Sequence, residues 1–503
     1  MMGWKSGLAL TWVLALPLPA LAQDSAPKTL EQIAPDIDAL FARFQAEAHV
    51  PGMVYGVVKD GKLAYVKGVG VQDLENKRAV TADSRFRIAS MTKAFTALAI
   101  LKLRDDGKLR LDDLAEQHVL EMKGWVYPTK DSPRIRIRDL LHHVGGLVTD
   151  DPWGDRQQVL PQADFTKMIA AGVPFSRSPQ SQHEYSNFGY ALLGRIVANA
   201  SGMAYADYIQ RTILTPLGMT SSGFDVTKTP KAHYARGYRW ENDAWTPEPE
   251  MIDGAFNAMG GLQVSASDYA KWLAFLLSAW PARDDADIGP VKRATVREMA
   301  QGLNFVTVAN RIGASGATAC KQAAAYAMGW RVAQDCDLGL TLAHGGGYPG
   351  YGSHVMLMPN HGVGVFALSN RTYAGPSAPA WDSAVAMEEA GLLTGRAVAV
   401  TPAVADAVAA VRAAYAAGTL VPLDGKLAMN FLLDRSAANW AAELAKLRGA
   451  VGDCPSAEPL APTGAMSTSF RLNCSKGQLD GMLLLAPTTP ATIQGLRFRV
   501  VEP

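Results

Sequence analysis

Strand-forming runs stand at the two ends of one long segment, and little that resembles them lies between. In "GMVYGVVKDGKLAYVKGVGV", from Gly52 to Val71, two β-branched and aromatic runs flank Asp60-Gly61. That dipeptide supplies the backbone a tight hairpin needs. Comparable runs return only in "YAMGWRVAQ", "LGLTLAHGGG", "YGSHVMLMP" and "GVGVFALSN", between Tyr326 and Asn370. The intervening segment is mainly helical in signal. Such a layout can close one antiparallel sheet from the two ends of the segment, with helices packed over it and a helical lobe inserted between them. The expected class is α/β (α+β): an antiparallel sheet flanked by helices, with an inserted all-helical lobe at about 90–270 and a small C-terminal α+β domain. A site between the lobes would lie in a cleft at their boundary.

The helical signals are specific enough to place. Residues 28–48 read as a helix ended by Val50-Pro51-Gly52. A second is opened by Ser90 and stopped at Asp105-Asp106-Gly107. "IRIRDLLHHVGGL" reads as a short helix closed by Gly145, and "SNFGYALLGRIVANASG" as a longer one closed by Gly202. Another spans about Trp381 to Leu393. Beyond 395 the character changes. Val404, Val408, Val411 and Tyr415 recur at helical spacing, then Trp440, Leu444 and Leu447, and "LRFRVV" alternates like a strand. With 503 residues the chain exceeds one compact core. The expected layout is a signal peptide at 1–22, a main domain at 23–394 and an accessory domain at 395–503.

The leader reading rests on Lys5, the apolar run "GLALTWVLALPLPALA" and the small-x-small site Ala20-Leu21-Ala22. Pro17 and Pro19 break that run, which is short for a membrane span. The mature chain is expected to begin near Gln23, in the periplasm or outside the cell. Four cysteines suit an oxidising compartment. The two close pairs, Cys320–Cys336 and Cys454–Cys474, are the expected disulfides; a zinc site is the alternative, but the histidines show no matching ligand spacing. No metal or cofactor is implied. A net charge of +1 gives no pull toward nucleic acid or anionic membrane. The expected partner is a small-molecule or peptide substrate.

Three short motifs carry chemistry. Ser90-Met91-Thr92-Lys93 opens an apolar helix, so hydroxyl and ammonium share one face. A desolvated lysine there loses pKa and becomes a candidate base for the serine. The bland reading is a capping serine and a lysine reaching solvent. Ser25-Ala26-Pro27-Lys28 has the same spacing beside the cleavage site and is a decoy. Tyr185-Ser186-Asn187 precedes a helix; a phenol can shuttle a proton, and an amide can bond both Lys93 and a substrate carbonyl. The plain alternative is a buried tyrosine and a capping asparagine. The third motif is His344-Gly345-Gly346-Gly347, where small residues let backbone lie against a ligand and offer an N–H to an oxyanion. Its decoy is His143-Val144-Gly145; His142 and His143 read as surface or packing residues.

In this order the three motifs resemble the serine β-lactamase and penicillin-binding family, in its class C-like and D-stereospecific peptidase branch. The resemblance covers about residues 28–394, with "IRIRDLLHHVGGL", "YSNFGYALLGRIV", "PLGM", Gly260-Gly261 and "HGGGYPGY". It implies Ser90 as nucleophile, Lys93 and Tyr185 managing its proton, Asn187 and His344 to Gly347 at the substrate, and the N–H groups of Ser90 and Gly347 as the oxyanion hole. Many members carry Lys-Thr-Gly or Lys-Ser-Gly at the third motif. His-Gly-Gly here lacks that permanent charge and that hydroxyl, and resembles the aminopeptidase, esterase and broad-specificity members. The expected function is a secreted serine hydrolase of amides or esters, D-amino-acid peptides or β-lactams among them. The alternatives are a broad-specificity carboxylesterase on the same fold and a non-catalytic binding protein that kept the fold.

Overall fold

The computed structural model describes residues 28–311, 320–396 and 398–501. The expected leader and Ser25 lie outside the described residues. Helix α1 (Leu30–Glu47) starts at a capping box: Gln32 N–H donates to Thr29 Oγ1, and Thr29 N–H donates to Gln32 Oε1. Its buried stripe is Ile33, Ile37 and Phe41, spaced four apart. The hairpin follows as β1 (Gly52–Lys59) and β2 (Lys62–Gly70), with Asp60 and Gly61 both at positive φ in the turn.

The returning strands are β3 (Phe305–Asn310), β4 (Lys321–Tyr326), β5 (Arg331–Asp335), β6 (Gly339–Tyr348), β7 (Tyr351–Met358) and β8 (Val363–Ser369). They form one eight-stranded sheet in the order β2-β1-β8-β7-β6-β5-β4-β3, and its described pairings are antiparallel. The sheet is closed by distant segments, Met53 standing opposite Ser369. β3 and β4 extend it beyond the strands read from sequence. β4, "KQAAAY", has no β-branched residue, so its strand character comes from pairing rather than propensity.

β1 is buried on both faces, and its alternation divides the core. Met53, Tyr55 and Val57 join Ile37, Phe41 and Trp381 under one face. Val54 and Val58 join Phe95, Leu98 and Trp272 under the other. The second face carries the lobe, built on α2 (Thr92–Asp105), α3 (Ile137–Leu141), α4 (Asn187–Ser201) and α5 (Ala266–Leu277). Phe95 of α2 stacks on Trp272 of α5 at 4.0 Å. The inserted segment is helical apart from a short hairpin, Tyr238–Glu241 with Ala244–Pro247, and a three-residue pairing of Arg85–Arg87 with Gln263–Ser265.

Some helix ends differ from the sequence reading. α3 stops at Leu141 rather than Gly145, because His143 takes the left-handed conformation (φ 55°) that glycine was expected to supply. The last helix of the segment, α6 (Ser377–Glu389), starts before Trp381. Pro379 lies in its first turn, where the missing N–H has no helical partner to lose. Past it, α7 (Pro402–Ala417) and α8 (Ala437–Val451) pack on a five-stranded sheet whose long strands are β9 (Ser467–Cys474), β10 (Gly477–Ala486) and β11 (Thr492–Val501). Val404, Val411, Trp440, Leu444, Leu479 and Leu483 form a separate hydrophobic cluster there. Disulfides join Cys320 to Cys336 and Cys454 to Cys474. Among the described residues no helix is long and apolar enough to cross a membrane.

Candidate active site

Ser90 is not a helix cap. It lies in a 3-10 turn, Ala89–Met91, that precedes α2, and no side chain caps the α2 N-terminus. The turn is held in a costly shape. Ala89 sits at φ 48°, a region that residues with a side chain seldom enter. Ser353 Oγ on β7 donates to Ile88 O at 2.8 Å, tying the turn to the sheet. Gly346 on β6 lies directly beneath, and a side chain there would run into Ser353 Oγ, the Ile88 carbonyl and Ala89.

Lys93 does not reach solvent; it is fully buried. Its Nζ donates to Ser90 Oγ at 2.9 Å, to Asn187 Oδ1 at 2.7 Å and to Met259 O at 2.9 Å. The rings of Tyr185 and Tyr190 flank it, with centroids at 4.8 and 5.5 Å. Burial pulls its pKa down to about 8, against the attraction of Asp151, Asp155 and Asp150. The Tyr185 phenol moves the other way. Burial, reinforced by Asp151, holds its pKa well above the usual value, although the Ser90 hydroxyl works against this.

The start of α4 fixes Tyr185 and Asn187. Asp150 takes the N–H groups of Asn187 and Phe188 at 2.6 and 2.7 Å, a carboxylate at the positive end of the helix. Ser186 is the cap, its Oγ accepting from Gly189 N. Asn187 Nδ2 donates to Asp151, which sets the amide so that Oδ1 faces Lys93.

On β6, His344 is buried, and its Nε2 pairs with the Tyr326 hydroxyl at 2.9 Å. Burial, with Lys93 nearby, drops its pKa to about 4, so it is neutral at physiological pH and offers no charge to a carboxylate. Gly345 stands opposite His354, while Gly347 lies against the Tyr373 ring. These residues line a cavity of about 710 Å³ together with Tyr185, Tyr326 and Arg331. Arg331 is the one permanent charge in its described lining, and among the described residues it makes no ion pair.

Sequence reasoning missed much of the frame. The loop before α4 contributes Asp150, Asp151 and Asp155; Asp155 is raised to about 7 by burial and by Asp151, and accepts from Tyr373 at 3.1 Å. "TDDPWGD" shows acidity but no spacing that points at a lysine some sixty residues earlier in sequence. Both His142 and His143 are buried, not at the surface, and His143 stands directly behind Tyr185 with ring centroids 4.3 Å apart. Its place just before Gly145, the expected helix stop, hid that position. The four cysteines lie outside this site; Cys320 and Cys336 stand near Asp335, and both sulfurs are already joined to each other.

Comparison with known proteins agrees with this arrangement. The family model Beta-lactamase matches residues 37–388. The chain belongs to the beta-lactamase family. Protein flp of Staphylococcus aureus (strain COL) is 30% identical over 343 residues, covering 66% of this chain and 62% of that relative, so the match spans less than two thirds of the relative's length. An octameric penicillin-binding protein homologue from Pyrococcus abyssi has a TM-score of 0.59 at 21% identity and covers 92% of this chain and 99% of its own. A class C beta lactamase from Rhodobacter sphaeroides gives 0.54 at 22% identity, over 71% of this chain and 99% of its own. At those identities the two structures speak to the beta-lactamase fold alone. Family membership supports a hydrolase.

Proposed function

We propose that the protein is an exported serine hydrolase that forms an acyl-enzyme on Ser90 and releases it to water. One observation carries the reading: Lys93 Nζ is buried with three oxygen partners, of which only one is a hydroxyl. The amide oxygen of Asn187 and the carbonyl of Met259 can only accept, so a neutral amine gives them its two N–H bonds. Its lone pair then points at the remaining partner, the Ser90 hydroxyl. Lys93 is the group that takes the proton, because its pKa is drawn down while that of Tyr185 is pushed up.

The steps follow from that. Ser90 Oγ bonds to the carbonyl carbon as its proton passes to Lys93, and the backbone N–H groups of Ser90 and Gly347 hold the oxyanion. Collapse breaks the bond to the leaving group, which takes a proton from the Tyr185 phenol; that phenol is replenished from Lys93 across the serine oxygen. Water then enters and reverses these proton movements. With His344 neutral, Arg331 is the anchor for a carboxylate on the donor, which favours amides of D-amino-acid peptides or β-lactams. Export suits the two disulfides.

A second reading, a broad carboxylesterase, is favoured by a separate apolar cavity of about 400 Å³ lined by Leu147, Trp153, Met168 and Phe188 beside Asp150 and Ser186. The test incubates the mature protein with a labelled penicillin, a p-nitrophenyl ester and a D-amino-acid amide, reading adducts by intact mass and turnover by product. Arg331→Ala should raise KM at least tenfold for carboxylate-bearing donors and spare the uncharged ester. Equal losses on both would remove Arg331 as the anchor, and no adduct with any donor would refute the acyl-enzyme.

A further inference from the structure

We infer that His143 is a positioning residue for Tyr185: it clasps the chain on both sides of the tyrosine and sets the phenol against Ser90 and Lys93. This rests on the role proposed for Tyr185. The clasp has two arms. His143 O accepts from Glu184 N–H at 2.8 Å, and His143 Nδ1 accepts from Ser186 N–H at 3.1 Å. The residue between those two amides is Tyr185. The imidazole itself lies against the tyrosine ring, centroids 4.3 Å apart, and is walled on its other sides by Tyr326 at 4.5 Å and Tyr190 at 5.0 Å.

Each feature has a physical requirement that an ordinary packing residue would not meet. Accepting at Nδ1 places the imidazole proton on Nε2, a single tautomer of the neutral ring. Burial and the neighbouring Lys93 favour that neutral form. The backbone at φ 55° turns the carbonyl and the ring toward the same strand of chain, a conformation unfavourable for a residue with a side chain. Glycine or asparagine would adopt it at less cost. A histidine in place of glycine is explained by the second arm, which glycine cannot form.

The arms also close an accounting of backbone groups. Ser186 N–H goes to His143, Asn187 and Phe188 N–H to Asp150, and Gly189 N–H to Ser186 Oγ. Removing the imidazole leaves the Ser186 amide buried without its acceptor and gives the Tyr185 ring room to move. Asp150 still holds the helix, so the fold should persist while the phenol wanders.

The experiment uses the full chain and compares His143→Gly, His143→Asn and His143→Gln with Tyr185→Phe. Glycine suits the backbone and deletes the acceptor. Asparagine also suits the backbone and returns an acceptor near Nδ1. Glutamine fills the space but carries its amide one bond too far out. The readouts are melting temperature, kcat and KM on whichever donor turns over, and the rate of fluorophosphonate labelling of Ser90. We expect His143→Gly to melt close to wild type with kcat reduced at least thirtyfold and KM within threefold, His143→Gln to match it, and His143→Asn to recover most of the loss. If glycine fails to fold, the glutamine and asparagine pair decides. Wild-type kcat in a folded His143→Gly or His143→Gln protein, or asparagine no better than glutamine, would overturn the role of His143. Full activity in Tyr185→Phe would instead overturn the role of Tyr185.

Discussion

The segment around Lys93 and the segment beyond residue 401 are both well packed, but they bury different things. Around the first, Ser90, Lys93, His143, Asp150, Asp155, Asn187 and His344 are all buried. Among the described residues from 402 to 501, the one buried polar side chain is Thr468. Backbone conformation divides the same way. Ala89, His143 and Tyr373, all beside the cleft, have positive φ without being glycine. In the C-terminal stretch positive φ falls on glycine, at Gly418, Gly425, Gly452 and Gly477. Buried charge and unfavourable backbone both cost stability. A region that keeps them is shaped by something other than stability, and a region that lacks them has no such demand on it.

The strongest way to break the comparison is to remove the polar groups. Ser90→Ala deletes the hydroxyl without deleting a cap, since no side chain caps the α2 N-terminus. The melting temperature should stay within a few degrees, while turnover falls by about four orders of magnitude or more, as in other cooperating catalytic sets. Lys93→Ala should lose nearly as much activity, but it also removes the contacts with the Tyr185 and Tyr190 rings and leaves Asn187 Oδ1 and Met259 O without their donor, so it should melt lower than Ser90→Ala. Labelling with a fluorophosphonate followed by peptide mapping reads both. An adduct on another serine, or a Ser90→Ala protein with normal turnover, contradicts the assignment.

How much of this was readable from sequence follows the same division. Ser90 and Lys93 could be found because their spacing is local and they interrupt an apolar helix. The hairpin at Asp60-Gly61 and the sheet closed from distant ends could be found because turn chemistry and period-two patterning are local too. His143, Asp150 and Asp155 could not. Their roles come from a meeting of the α3 end, the following loop and the α4 start, which no spacing announces. β4 was missed for a related reason: its alanines take strand form because β3 and β5 lie alongside.

Acid sensitivity gives an effect of intermediate size. In the proposed mechanism attack needs the unprotonated amine, and the Lys93 pKa is drawn down to about 8. The acylation rate should therefore be flat above pH 8 and fall about tenfold per unit below it. Asp155 sharpens the point. Its negative charge favours the ammonium form, so Asp155→Asn should lower the Lys93 pKa further and move the acid limb to lower pH. An amide oxygen at that position still accepts from Tyr373, so the cleft wall is kept. The variant should be faster than wild type near pH 7 and equal to it above pH 9. A limb that stays in place would show that Asp155 does not feel Lys93.

The smallest expected effect belongs to the C-terminal stretch, and it is the one that tests the comparison from the other side. Among the described residues, the hydrogen bonds of residues 401–501 stay within that stretch. The position of a clean cut is set by Arg396, whose Nη1 donates to Leu277 O and Trp280 O at 2.8 and 2.9 Å. A chain ending at Val400 keeps those bonds, whereas one ending at Gly395 exposes the end of α5. We therefore propose that residues 402–501 fold as a unit of their own, with the apolar cluster of Trp440, Leu444 and Leu479 as its core. The chain ending at Val400 should be acylated at Ser90 within about threefold of the full-length rate, and the cut at Gly395 should melt lower than it does. Equal melting of the two would free Arg396 of any structural duty. A soluble chain ending at Val400 that no longer accepts the label would mean that the apolar stretch serves the site after all, and that burying no polar groups is not a sign of standing apart from the chemistry.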